Sequence, residues 1–149
     1  MTLSACEGGA GGPATDSAVV ARVIDGDTVE LEGGERVRYL MVDTPEITSG
    51  KHDCFGEEAK ALNDDLVTGK TIELSYDVER TDRYGRTLAY VSVDGREVNT
   101  ILVKRGYACV LYIPPNGEDR EIEFLTLQAR AMKEGRGMWG TCAEVACAN

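Results

Sequence analysis

Residues 37–46 read VRYLMVDTPE, and the rest of the chain is organised around them. The stretch opens as a strand. Side chains alternate along it, so Val37, Tyr39 and Met41 share one face and Arg38, Leu40 and Val42 the other. An arginine on an otherwise apolar face is costly to bury alone, so an anionic group is expected beside Arg38. Pro45 cannot continue a ladder and biases Thr44 towards extended geometry, which ends the strand there. Asp43, Thr44 and Glu46 thus crowd one strand end, close to a guanidinium. Taken alone, the stretch also reads as a charged turn with a local ion pair; the neighbouring segments weigh between the two.

Upstream, residues 18–24 form a first strand, Asp25-Gly26 a tight turn, and Thr28–Leu31 an alternating second strand that Gly33-Gly34 ends. Three strands joined by short turns make a meander. Downstream, residues 47–54 form a polar loop with Lys51, an exposed His52 and Asp53. From Phe55 the period changes: Phe55, Ala59, Leu62 and Leu66 fall on one helical face, and Gly69 closes the helix. Ile72, Leu74 and Tyr76 alternate as a fourth strand. A polar loop over residues 77–86 leads into a fifth strand, Thr87–Val93, which Asp94-Gly95 turns. A short helix uses Val98, Ile101 and Leu102, with Lys104 and Arg105 in its last turn and Gly106 behind it. Residues 107–113 are extended, and Pro114-Pro115-Asn116-Gly117 is a loop. A last helix over residues 118–134 is expected to bury Ile122, Leu125, Ala129 and Met132, with Trp139 packing back on the core. The pattern predicts an α+β domain: an OB-type five-stranded β-barrel decorated by about three helices.

At 149 residues one domain is expected. Its limits are read as a flexible tether over residues 1–17, the folded domain over 18–140 and a cysteine-containing tail over 141–149. No apolar run is long enough to span a bilayer. The net charge of -10 argues against a generally basic nucleic-acid-binding surface, so any such contact must come from a local site. The same charge suits an acidic cluster that holds a cation. Five cysteines, Cys6, Cys54, Cys109, Cys142 and Cys147, form no C-x-x-C pair, and His52 is the single histidine. Disulfides in an oxidising compartment are favoured over zinc, with one cysteine left over. Leu3-Ser4-Ala5-Cys6 looks like a bacterial lipobox followed by a glycine-rich tether. A full signal needs a basic segment and a longer apolar segment ahead of the cysteine, so either the chain starts inside a clipped signal or this is a tail with an incidental cysteine.

Three blocks carry a resemblance. IDGDTVEL at residues 24–31, VRYLMVDTPE at 37–46 and RTDRYGRTLAYV at 80–91 stand in order, with FGEEA at the first helix start and GMW at 137–139. In order and spacing they resemble the staphylococcal nuclease (thermonuclease) family over residues 19–140. The resemblance implies the SNase-like OB-fold and a calcium-dependent phosphodiesterase, an endo- and exonuclease. Such an enzyme cuts single- and double-stranded DNA and RNA to 3′-phosphate products with little sequence preference. It implies that Asp27, Asp43 and the Thr44 carbonyl ligate Ca2+. Glu46 takes the role of activating the attacking water, and Arg38 and Arg86 that of gripping the scissile phosphate. Arg83 and Tyr84 fall near a terminal phosphate, and Tyr112 under the base. Pro114 stands where the family often carries a second tyrosine, and the loop after Glu46 offers only Lys51, so weaker or more salt-sensitive binding is expected. Cys54 and Cys142 occupy positions often paired in secreted relatives. Cys109 with Cys147 is a second pairing, which leaves Cys6 for a lipid that tethers the protein to a membrane. The implied protein is a monomer, secreted or held at the cell envelope.

These residue types suit the chemistry. Phosphodiester hydrolysis gathers negative charge at phosphorus, which a dication and two planar guanidiniums stabilise. A neighbouring carboxylate takes the water's proton. The competing reading is a non-catalytic OB-type module that binds nucleic acid or a protein at the envelope. Retention of every carboxylate and both arginines favours the enzyme.

Overall fold

The computed structural model of the protein describes residues 15–147. β1 (Thr15–Asp25), β2 (Thr28–Leu31) and β3 (Arg36–Tyr39) form the antiparallel meander. After a kink the chain resumes as β4 (Val42–Asp43), then crosses through α1 (Gly56–Val67) to β5 (Thr71–Ser75) and β6 (Thr87–Val93). A hairpin strand, β7 (Arg96–Glu97), runs directly into α2 (Val98–Lys104). β8 (Cys109–Val110) pairs with β4, and α3 (Glu121–Glu134) and α4 (Met138–Thr141) complete the fold. β5 joins both β1 and β6 antiparallel, and β3 lies parallel to β6, so β1, β2, β3, β6 and β5 close into a mixed five-stranded barrel.

Alternation fills this barrel. Val20, Val29, Val37, Tyr39, Ile72 and Val91 point inward and are fully buried, and Leu102 and Phe124 bring α2 and α3 against the core. Burying each such side chain contributes about 1.5–3 kcal/mol. Buried polar residues tie the layers together. Tyr39 Oη donates to Asn63 Oδ1 at 2.6 Å, and Asn63 Nδ2 donates to the Asp25 carbonyl at 3.0 Å, so α1 is strutted against the end of β1.

The structure departs from the sequence pattern in several places. β1 begins at Thr15, because residues 15–17 pair by backbone with Ser75, Leu74 and Glu73 although their side chains carry no apolar period. Cys6 and the lipobox reading lie outside the described residues. The strand over residues 37–42 is broken: Met41 has φ 71°, and the Arg38 guanidinium Nη1 spans the break by donating to the carbonyls of Tyr39 (2.7 Å) and Val42 (2.8 Å). Phe55 caps α1 in the left-handed region (φ 75°) and meets Tyr107 edge-on, so it does not lie on the helical face. Only Cys109–Val110 of residues 107–113 enters a ladder.

α3 buries a different stripe from the one the sequence suggests. Phe124 and Ala131 are buried, while Ile122 is 81% exposed and Leu125 and Met132 are 44% and 48% exposed. Gln128 stands on the inner stripe because its Oε1 accepts the Val110 amide at 2.7 Å, a bond that hydrophobic periodicity cannot reveal. At the C-terminal end Met138 is fully buried and Trp139 only half-buried. Two disulfides bind this end to the domain, Cys54 to Cys142 and Cys109 to Cys147.

Candidate active site

The site is built where β1 turns into β2 and where β3 breaks into β4. Asp27 is buried at the start of β2. Its Oδ1 accepts the Thr28 hydroxyl (3.1 Å), and its Oδ2 accepts both the amide (2.9 Å) and the hydroxyl (3.1 Å) of Thr44. Gly26 permits this approach: a Cβ there would come within 2.7 Å of Thr44 Cγ2 and 2.8 Å of Ala59 Cβ. Arg38 finds the anionic partners that its place on β3 demands. Nη2 lies 3.4 Å from Asp27 Oδ2 and 3.5 Å from Asp43 Oδ1, with the arginine side chain only 14% exposed. One guanidinium nitrogen thus sits between the two carboxylates predicted to hold a cation.

The electrostatics of this cluster are tense. Burial, then the neighbouring Asp27, pushes the Asp25 carboxyl up to about 7. Asp27 goes the other way. Burial raises it, but Arg38, a hydrogen bond from Asp25, and those from Thr44 and Thr28 together hold it below its ordinary range. The two carboxyls are thus driven in opposite directions, and as pH falls below neutrality the pair takes its first proton on Asp25. Among the described residues no three His, Cys, Asp or Glu side chains gather into a ready metal cage. This corner offers the carboxylates of Asp27 and Asp43, with the Thr44 amide and hydroxyl bonded to Asp27.

Glu46 follows Pro45 on the loop that leaves β4. Its Oε1 accepts three donors: the Ile47 amide (2.9 Å), the Thr48 amide (2.8 Å) and the Thr48 hydroxyl (2.6 Å). The Thr48 bonds, hydroxyl first, hold the Glu46 carboxyl below its ordinary range, against burial and the charge of Asp27. Glu46 is therefore a carboxylate at neutral pH and lies within electrostatic reach of Asp27. Gly56 anchors the far side of the loop, since a Cβ there would collide with Ile47 Cγ2 and lie 3.0 Å from the Pro45 carbonyl.

The second arginine comes from the turn before β6. Asp82 accepts the amides of Tyr84 and Arg86 (both 2.9 Å) on Oδ1 and Arg86 Nε (2.8 Å) on Oδ2. Arg83 donates to the Tyr84 hydroxyl at 2.9 Å, and the Arg83 and Arg86 guanidiniums lie 5.0 Å and 5.5 Å from the centre of the Tyr84 ring. Tyr84 is 68% exposed. Arg38, Arg83, Tyr84 and Arg86 all line one cavity of about 470 Å³.

Arg38, Asp27, Asp43 and Thr44 thus share one corner, with Glu46 on the adjoining loop feeling the charge of Asp27, and Arg38 and Arg86 line the neighbouring cavity. Tyr112 stands apart. Leu111 and Ile113 line the cavity, while Tyr112 packs half-buried against the core, where burial and the charges of Glu118 and Glu121 raise its hydroxyl. The cavity wall is therefore aliphatic at these positions. Sequence reasoning missed Asp25, read only as a turn residue, and Asp82, which positions Arg86. The IDGD and TDRYGR blocks carry both, and an aspartate at the head of a glycine-containing turn is the available signal.

The family model described as staphylococcal nuclease homologue matches residues 36–141. The chain belongs to this family. Among curated relatives, Endonuclease YncB of Bacillus subtilis (strain 168) is 46% identical over 99 residues, covering 62% of this chain and 46% of the relative. The SPbeta prophage-derived endonuclease YokF of the same strain is 37% identical over 125 residues, covering 79% and 42%. Thermonuclease of Staphylococcus intermedius is 37% identical over 129 residues, covering 83% of this chain and 76% of its own length. The chain spans less than half the length of the two Bacillus relatives and three-quarters of the thermonuclease.

Proposed function

We propose that this chain is a calcium-dependent phosphodiesterase that hydrolyses DNA and RNA, single- or double-stranded, to 3′-phosphate products with little sequence preference. One observation carries the reading: Arg38 faces Asp27 and Asp43 with one nitrogen and lines, with Arg86, a cavity that could take a phosphodiester. Family membership and relatives named endonuclease and thermonuclease support it.

The donor set fits a hard dication. All its atoms are oxygens, and burial, then the charge of Asp27, raises the neighbouring Asp25 carboxyl, a tension that a cation relieves. Asp27, Asp43 and the Thr44 carbonyl would hold Ca2+, and the ion supplies positive charge against the reacting phosphate. The chain's own residues do the rest. Arg38 and Arg86 present planar forks to phosphate oxygens and gain strength as charge builds on them. Asp82 holds Arg86 in place, and Thr44 and Thr28 hold Asp27. Glu46, ionised, accepts the proton of the attacking water. Arg83 and Tyr84 receive a neighbouring phosphate at the cavity rim. Arg38, Arg83 and Arg86 line the cavity beside Glu79 and Asp82, so on a chain of net charge -10 a locally positive balance rests on these arginines together with the bound cation.

The disulfides support a protein secreted or held at the cell envelope, and they leave Cys6 for lipidation and a membrane tether. The protein acts as a monomer. The test is cleavage of single-stranded DNA in calcium or in chelator. Wild type cuts only in calcium, and Glu46→Ala and Arg86→Ala each lower the rate by about 10²-fold or more. Binding without cleavage in calcium would instead favour a non-catalytic binding module.

A further inference from the structure

Residues 46–53 form a loop closed on itself around the Glu46 side chain. The Glu46 amide donates to Asp53 Oδ2 at 3.2 Å, and the Asp53 amide returns a bond to the Glu46 carbonyl at 2.9 Å. The Lys51 amide donates to the Thr48 carbonyl at 3.1 Å. Cys54, next to Asp53, is bonded to Cys142, so the base of the loop is fixed to the C-terminal end of the fold. Inside the loop all three donors to Glu46 fall on one oxygen, Oε1.

An exposed glutamate ordinarily samples many rotamers, and ordering it costs entropy in every turnover. Three donors gathered on a single oxygen fix the torsions of this exposed side chain. Two of the donors are backbone amides, available from almost any residue. The third is a hydroxyl, which at this place only threonine or serine supplies.

Resting on the nuclease reading above, we propose that Thr48 is a positioning residue, whose hydroxyl pins Glu46 Oε1 so that Oε2 is presented to the attacking water. Thr48 touches no reacting atom and acts through Glu46. Preorganisation of this kind bears on the chemical step and leaves polymer binding to Arg83, Arg86 and Tyr84.

The test compares wild type, Thr48→Val, Thr48→Ser, Glu46→Gln and the double variant Thr48→Val/Glu46→Gln on a single-stranded oligonucleotide in calcium, with a thermal melt of each. Thr48→Val lowers kcat about tenfold, the loss of one hydrogen bond to a charged group, and leaves KM within about twofold. Thr48→Ser restores the rate, and the double variant is no slower than Glu46→Gln alone, since Thr48 has nothing left to aim. A Thr48→Val protein with wild-type kcat overturns the proposal. So does failed rescue by serine, or a double variant slower than Glu46→Gln by the full tenfold. A wild type that cuts nothing in calcium removes the nuclease reading and this role with it; a wild type that cuts while Thr48→Val is unimpaired removes only the role of Thr48.

Discussion

Raising the pH of the metal-free protein from 5 to 7.5 is expected to destabilise it, against the trend of an ordinary acidic protein. The cause is Asp25, moved from its usual 3.8 to about 7 by burial and by Asp27. Between those two values the folded protein binds more protons than the unfolded chain, so stability falls as pH rises through that window. At about 1.4 kcal/mol per pH unit, the two units from pH 5 to about 7 cost on the order of 3 kcal/mol, or roughly 8 °C in melting temperature for a chain of this length. Asp27, Glu46, Asp82 and Glu123 are shifted downward, so they add stability as pH rises at the acid end and place the metal-free optimum near pH 5. The assay is a series of thermal melts in chelator, repeated on Asp25→Asn, whose amide oxygen still accepts the Asp27 amide that now bonds Asp25 Oδ1 at 3.0 Å. Wild type should lose melting temperature from pH 5 to 7.5 and the variant should stay level. Added calcium should restore wild type more at pH 7.5 than at pH 5, by preferential binding to the folded state. A wild-type melting temperature that climbs with pH in chelator, or an Asp25→Asn protein with the same slope, refutes the reasoning.

Gly26→Ala drives a methyl group into Thr44 and Ala59, so it should cost about 1–3 kcal/mol by overpacking and weaken calcium binding as Thr44 leaves Asp27; melting and calorimetric titration read both. Tyr39→Phe strands the buried Asn63 Oδ1 and should cost about 1–3 kcal/mol, measured by urea denaturation. Cys54→Ser opens a bridge between residues 88 apart, which the chain-entropy relation values at about 4–5 kcal/mol; an unchanged denaturation midpoint would count against a formed bridge.

Much of this was legible in the sequence. Alternation in Thr28–Leu31 and Thr87–Val93, with glycine turns between, gives the barrel strands directly, and the lone arginine among apolar neighbours signals partners such as Asp27 and Asp43. What stayed hidden depends on bonds that leave no periodic trace. Residues 15–17 join β1 through backbone alone. Met41 adopts a positive φ because Arg38 reaches across it to two carbonyls, and no propensity encodes that reach. Gln128 faces inward to satisfy Val110, which rotates the buried stripe of α3 away from Ile122 and Met132. The resemblance points to Tyr112, yet it is Leu111 and Ile113 that line the cavity while Tyr112 packs against the core.

The most direct measurement is the chemistry of the ends produced from a single-stranded oligonucleotide by wild-type protein. In calcium the fragments should carry 3′-phosphates and 5′-hydroxyls, and in chelator the oligonucleotide should remain whole. An intact oligonucleotide in calcium, or cutting that persists undiminished in chelator, would contradict a cation-assisted phosphodiesterase built around Arg38.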